Sequence, residues 1–422
     1  MFKKITLKNG LRIITVPQRN AQTAAVLVLV GTGSKYETKE TNGISHFLEH
    51  VYFKGTKKRP STMAVAETLD KIGGNYNAFT SDEYTGYYAK VAASQVELAL
   101  DWGSDIYLNS LLPEKEIQKE KGVIVEEINM RYDHPMSYVH VLWNKLLYGD
   151  QPAGWDIAGT KKSVMSITRQ DLVDYTNSQY SASNTICCVA GNFNDKEVVA
   201  KIKKYFSKIS TQKSKERFPV IEKQKEPSQL LHFKKTDQTH LCLGVRAYNI
   251  FHPQKYAQEV LGVILGGMMS SRLFIEVREK LGIAYYVRTY SEANLDTGYL
   301  VTCAGIDNKN IEKAIKVILR EYKKISEKGV PQQELKKAKD YIKGKTALFL
   351  ESSDAQASFY ASQELLERRI LTPAQIFQRV DKVSKNAIMK IAKNIFQPEK
   401  LNLALIGPNK DEIRLQQLLK GQ

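Results

Sequence analysis

Gly43-Ile-Ser-His-Phe-Leu-Glu-His-Val-Tyr-Phe-Lys-Gly55 holds two histidines four residues apart, His46 and His50, with Glu49 between them. On a helix, residues i and i+4 lie one turn above each other on the same face. Both imidazoles then reach one metal ion, and Glu49 borders the same site. A carboxylate in that position takes a proton from a metal-activated water. Only 7 histidines occur in 422 residues, so the spacing is not a by-product of a histidine-rich chain. The order H-x-x-E-H is a zinc-hydrolase signature, the inverse of H-E-x-x-H.

Catalytic zinc takes three protein ligands and leaves a fourth position open. The segment from Leu112 to Arg131 reads as a long helix, with Pro113 at its start and acidic residues in its first turn. Its apolar stripe runs Ile117, Ile124, Ile128, and Glu120 and Glu127 fall on that stripe. A carboxylate on a core-facing stripe is costly unless it is paired or binds metal. Glu126 is rotated about 100° away. Glu127 is therefore the better third ligand, and Glu120 the better partner for the free nitrogen of a ligating histidine.

These residues resemble the pitrilysin / insulin-degrading enzyme / mitochondrial processing peptidase family of zinc peptidases, the inverzincins. That family spaces H-x-x-E-H and its ligand Glu as His50 and Glu127 are spaced here, with a supporting Glu seven positions earlier, at Glu120. The resemblance implies zinc, one Zn2+ per chain, on His46, His50 and Glu127, with Glu49 as general base. Gly73–Tyr88 carries turn and strand signals for a hairpin. It is similar to the family's edge strand beside the zinc, where Asn77, Ala78 and Phe79 match the positions that pair with substrate backbone. Gly266–Val287 resembles a second family element, with an Arg and a Tyr seven apart, here Arg278 and Tyr285. In the family the Tyr stabilises the tetrahedral intermediate and the Arg holds substrate. Without the resemblance, Arg278 reads as a helix arginine and Tyr285 as a strand aromatic.

The chain is too long for one core. It also repeats itself. At an offset of 216 residues, Tyr180–Phe193 falls on Phe396–Asn409, and Ala25–Val30 falls on Leu241–Arg246. The expected class is α+β: two tandem homologous α/β-sandwich domains, each an antiparallel sheet packed by helices, forming half of a clamshell chamber. The expected division is an N-terminal zinc-binding domain at 1–212, a linker at 213–229, and a C-terminal domain at 230–422 that lacks the zinc motif. Val260–Gly266 stands roughly where the first copy has its histidines. Both the zinc set and Arg278/Tyr285 occur on one chain, so the resemblance implies a homodimer that completes the chamber; a heterodimer with a related subunit is the alternative.

The formal net charge is +17, from 62 basic and 45 acidic residues. Lysines interleave with glutamates, as at Glu114–Lys121, and no basic-aromatic stripe or phosphate loop occurs. This reads as a solvated surface rather than a nucleic-acid partner. No apolar run approaches the ~20 residues of a membrane span, and the N-terminus reads as an Asn9-Gly10 hairpin rather than a signal peptide. A cytoplasmic location is expected. Cys187, Cys188, Cys242 and Cys303 have no zinc-type spacing and read as buried free thiols outside the metal site. The expected activity is a zinc endopeptidase for short or unfolded peptides. Its rival is a non-catalytic peptide-binding or assembly subunit of the same fold.

Overall fold

A computed structural model describes residues 2–421. In chain order the sheet-forming segments of the first half are β1 (Lys3–Thr6), β2 (Arg12–Pro17), β3 (Thr23–Val30), β4 (Asn75–Thr80), β5 (Thr85–Ala92) and β6 (Thr185–Gly191). Helices α1 (Ile44–Val51), α2 (Thr62–Asp70), α3 (Val96–Asn109), α4 (Glu114–Asp133) and α5 (Pro135–Tyr148) lie between them. The second half contributes β7 (Ser228–Phe233), β8 (Gln238–Arg246), β9 (Ala284–Ala293), β10 (Gly298–Asp307) and β11 (Leu401–Gly407), with helices before and after.

Two sheets result, ordered β1-β2-β6-β3-β5-β4 and β7-β11-β8-β10-β9. The repeat is visible in them. At the offset of 216, β2 falls on β7 and β6 on β11, residue for residue, and β3 falls within β8. The first sheet adds β1, paired to β2 through the Asn9-Gly10 turn, where Gly10 takes φ +94°. The sequence predicts antiparallel sheets, but each sheet is mixed: β2 with β6 and β7 with β11 are parallel. In each pair the strands are far apart in sequence, and such long helical crossovers are what permit parallel pairing.

The run Ala24–Val30 is apolar at every position because both faces of β3 are covered. Val26, Val28 and Val30 join the core with α1 and α3; Leu27 and Leu29 pack against Ala357, Tyr360 and Ala361. Those last residues belong to the helix Ser353–Glu367, from the second half of the chain. The exchange is reciprocal. α5, from the first half, packs Val139, Leu142 and Trp143 on the second sheet beside Cys242 and Ala404. The compact units are therefore 2–128 with 156–218 and 347–371, and 129–155 with 219–346 and 372–421. These differ from the continuous stretches 1–212 and 230–422. Periodicity reveals an apolar helix face but not which sheet will cover it. Residues 210–227 form neither helix nor strand, while β7 begins at Ser228, inside the expected 213–229 linker. Among the described residues no helix is long and apolar enough to cross a membrane.

Candidate metal centre and active site

Helix α1 carries two complementary stripes. Ile44, Phe47, Leu48 and Val51 are fully buried and follow i, i+3, i+4, i+7 spacing. His46, Glu49 and His50 occupy the other face, half-buried. The helix begins at Gly43, whose φ of +95° is left-handed. A side chain there would bring its Cβ to 2.7 Å from the Ala158 carbonyl oxygen, so glycine is required on two counts.

No Ser, Thr, Asp or Asn side chain caps this helix. Glu37, with no exposed surface, does so from outside it. Its Oε2 accepts from the Gly43 amide at 2.7 Å and from Asn42 Nδ2 at 3.0 Å, and its Oε1 accepts from the Ser45 amide at 2.9 Å. Burial pushes the Glu37 carboxyl up, and these donors pull it back. The carboxylate also faces the positive end of the helix dipole. Glu37→Ala leaves these buried donors unmet, at about 1–3 kcal/mol each. A loss of about 3 kcal/mol or more is expected in urea unfolding, with Glu37→Gln milder; a midpoint unchanged in Glu37→Ala would refute the capping role.

Helix α4 runs as its sequence predicts. Ile117 and Ile124 are buried and Glu126 is exposed. The structure brings Glu127 to both histidines: its Oε2 lies 3.4 Å from His46 Nε2 and 3.5 Å from His50 Nε2. One donor atom from each of the three residues lies within 4.8 Å of the others. Ligands around tetrahedral zinc at 2.0–2.1 Å stand about 3.3–3.4 Å apart, so the Glu127 contacts match the edges of such a site. Two imidazoles and one carboxylate also suit zinc chemically and leave one position open. The donor set fits the ion.

Glu120, nearly two turns earlier on α4, is buried and grips the far side of His50. Its Oε2 is 3.1 Å from His50 Nδ1, and its Oε1 is 2.6 Å from Lys54 Nζ. Burial raises the Glu120 carboxyl, but hydrogen bonds from His50 and Lys54 outweigh it and hold it below the usual range. For His50 burial acts downward, yet Glu120 and Glu127 together lift it to about 9. A carboxylate on the free nitrogen fixes the tautomer and raises the basicity of a ligating histidine. Glu120→Gln is expected to lower zinc affinity about 10–100-fold, read by competition against a fluorescent zinc chelator; unchanged affinity would reduce Glu120 to a packing residue.

Glu49 is not one of the three converging donors. Its Oε2 accepts from Thr80 Oγ1 at 2.7 Å, at the end of β4. Burial raises its carboxyl and the Thr80 hydrogen bond partly offsets this. A carboxylate held beside a metal centre with an elevated proton affinity is a general base in form. Strand β4 is the sheet edge. Along it Asn77 is exposed, Ala78 buried and Phe79 half-buried. Arg278 and Tyr285 lie in the second unit. Arg278 sits on a π-helical turn, Phe274–Lys280, with its guanidinium 4.9 Å from the Phe274 ring. Tyr285, near the start of β9, is 74% exposed.

The second copy has lost the chemistry. At the repeat offset, His46, Glu49 and His50 fall on Gly262, Leu265 and Gly266. Two related α+β units, one bearing an H-x-x-E-H helix joined by a distant glutamate, define a two-domain zinc-protease-like chain. Residues 12–161 match Insulinase (Peptidase family M16), and residues 166–342 match Peptidase M16 inactive domain. The chain is 37% identical to the uncharacterized zinc protease YmxG of Bacillus subtilis, across 97% of this chain and 99% of that one. It is 32% identical to an uncharacterized zinc protease of Streptomyces coelicolor, across 97% and 90%. Among solved structures, a protease from Helicobacter pylori superposes with a TM-score of 0.89 at 25% identity, covering 97% of this chain and 99% of that chain. A peptidase M16 inactive domain from Pseudomonas fluorescens shares the fold, with a TM-score of 0.89 at 16% identity across 97% and 98%. The chain belongs to peptidase family M16.

Proposed function

We propose that the chain is a zinc-dependent endopeptidase acting on short or unfolded peptides. The observation that carries this reading is the convergence of His46, His50 and Glu127 at zinc-ligand spacing beside a Glu49 held by Thr80. Zinc held by those three residues supplies a Lewis acid that polarises a carbonyl and brings the pKa of water towards neutrality. Glu49 accepts the proton of the attacking water and returns it to the leaving amine. The outer edge of β4, at Asn77–Phe79, offers backbone groups to an extended peptide, with the Ala78 amide, which donates to Asn77 Oδ1 at 2.9 Å, exchanging that partner on binding. Glu120 and Lys54 keep the His50 ring oriented throughout.

Tyr285 and Arg278 are assigned to the oxyanion and to substrate, as hydrogen-bond donors of the kind that stabilise developing charge. Their setting in this proposal is a chamber completed by a second copy of the chain. The chamber would admit flexible peptides and exclude folded proteins. The bacterial relatives named zinc proteases support the reading at the level of family.

Removing metal with a chelator is expected to abolish cleavage of a quenched-fluorescence peptide library, and equimolar or slight-excess zinc to restore it. Cleavage that survives full metal removal would end the metallopeptidase reading. Zinc rebound without any cleavage would favour a non-catalytic, peptide-binding subunit.

A further inference from the structure

Among the described residues a second group of metal-type donors converges, wholly within the second unit. Cys242 on β8 stands directly opposite Cys303 on β10 in the antiparallel register. Their neighbours Leu241, Leu243 and Ala304 face the main core of the second unit, whereas the two thiols face α5. That helix delivers His140, whose Nδ1 lies 4.0 Å from Cys242 Sγ. One donor atom from each of His140, Cys242 and Cys303 lies within 4.8 Å of the others. The Tyr290 hydroxyl, from neighbouring β9, is 3.1 Å from the same His140 nitrogen.

Packing alone does not account for this set. Paired core thiols behave as small apolar groups and need no imidazole. Here a half-buried histidine is brought between two strands onto two fully buried sulfurs. Thiolate is the form that binds metal. By contrast Cys187 and Cys188 are successive residues of β6, point to opposite faces, and belong to no such group.

We propose that His140, Cys242 and Cys303 form a second, sulfur-rich metal site that takes a zinc-class divalent ion. Soft thiolates with an imidazole select zinc-class ions over magnesium or calcium. Charge favours a divalent occupant: two thiolates and a neutral imidazole around a 2+ ion make a neutral centre, which limits the penalty of burial. On loading, both thiol protons, and any proton on His140, leave to solvent. Tetrahedral zinc places sulfur and nitrogen ligands about 3.6 Å apart and two sulfurs about 3.8 Å apart, so the observed spacings close by small side-chain movements. The Tyr290 hydroxyl, 3.1 Å from His140 Nδ1, is placed to serve as a fourth donor. The catalytic reading assigns none of these residues a role, so the site is structural or regulatory.

Cobalt(II) reports the two sites separately, because only sulfur ligation gives a thiolate-to-cobalt charge-transfer band. Metal-free wild-type chain, with four free thiols verified, is loaded with cobalt and its metal content measured. Two ions per chain with a thiolate band are expected. Cys242→Ala/Cys303→Ala should bind one ion, show no band, and keep peptide turnover. His140→Gln, which leaves both thiols, should weaken the sulfur-bound ion by on the order of tenfold or more and provides the test if the double variant does not fold. Glu127→Ala should lose the other ion and keep the band, so failure of one site is distinguishable from failure of the other. A wild-type chain with no thiolate band would overturn the proposal. So would a band that persists in Cys242→Ala/Cys303→Ala, or a Cys242–Cys303 disulfide in protein purified without air.

Discussion

Glu49→Gln is expected to lower peptide turnover by about 10²–10⁴-fold while zinc affinity stays near that of the wild type. Glutamine has the same shape and keeps an oxygen to accept the Thr80 hydroxyl, now at 2.7 Å from Glu49 Oε2. Glu49 lies outside the three-donor group, so the metal ligands are untouched. What the amide lacks is the capacity to take a proton. The loss should therefore fall on kcat, with KM little changed, because no ground-state contact to substrate is removed. Stopped assays with equal zinc loading in both proteins isolate the effect. Turnover within a few-fold of wild type would remove Glu49 as the base.

Glu127→Ala should have the second large effect, by a different route. It deletes the one anionic donor among three and leaves His46 and His50 as a two-point site. The fall in zinc affinity should exceed the about 10–100-fold typical of losing an outer partner, and turnover at limiting zinc should vanish. Glu127 is half-buried on a helix whose core contacts, Ile117 and Ile124, are independent of it. The metal-free chain should still fold, with a modest loss of stability from the missing contacts to His46 and His50. Equal zinc affinity in Glu127→Ala and wild type would mean that another residue is the third ligand.

Much of this centre was legible because its parts are local. Two helix faces, four-residue spacing of His46 and His50, and a carboxylate on the apolar stripe of α4 are all periodic signals. The repeat was legible because β6 and β11 preserve the same buried strand and glycine turn. Other features depend on tertiary partners that leave no periodic trace. Thr80 reaches Glu49 only once β4 docks beside α1. Glu37 caps the helix of His46 and His50 from outside it, where the usual N-cap residues are absent and sequence rules find nothing. The parallel pairs β2–β6 and β7–β11, and the exchange of α5 and Ser353–Glu367 between sheets, follow from long-range packing choices. Cys242 and Cys303 looked unrelated to metal because their proximity is set by cross-strand register, not by spacing in the chain.

The central claim is that His46, His50 and Glu127 hold the metal on which hydrolysis depends. Zinc-edge anomalous diffraction from crystals of catalytically active protein tests it most directly. The account predicts an anomalous peak about 2.0–2.2 Å from His46 Nε2, His50 Nε2 and a Glu127 carboxylate oxygen. Active protein with no peak at these three side chains would contradict it.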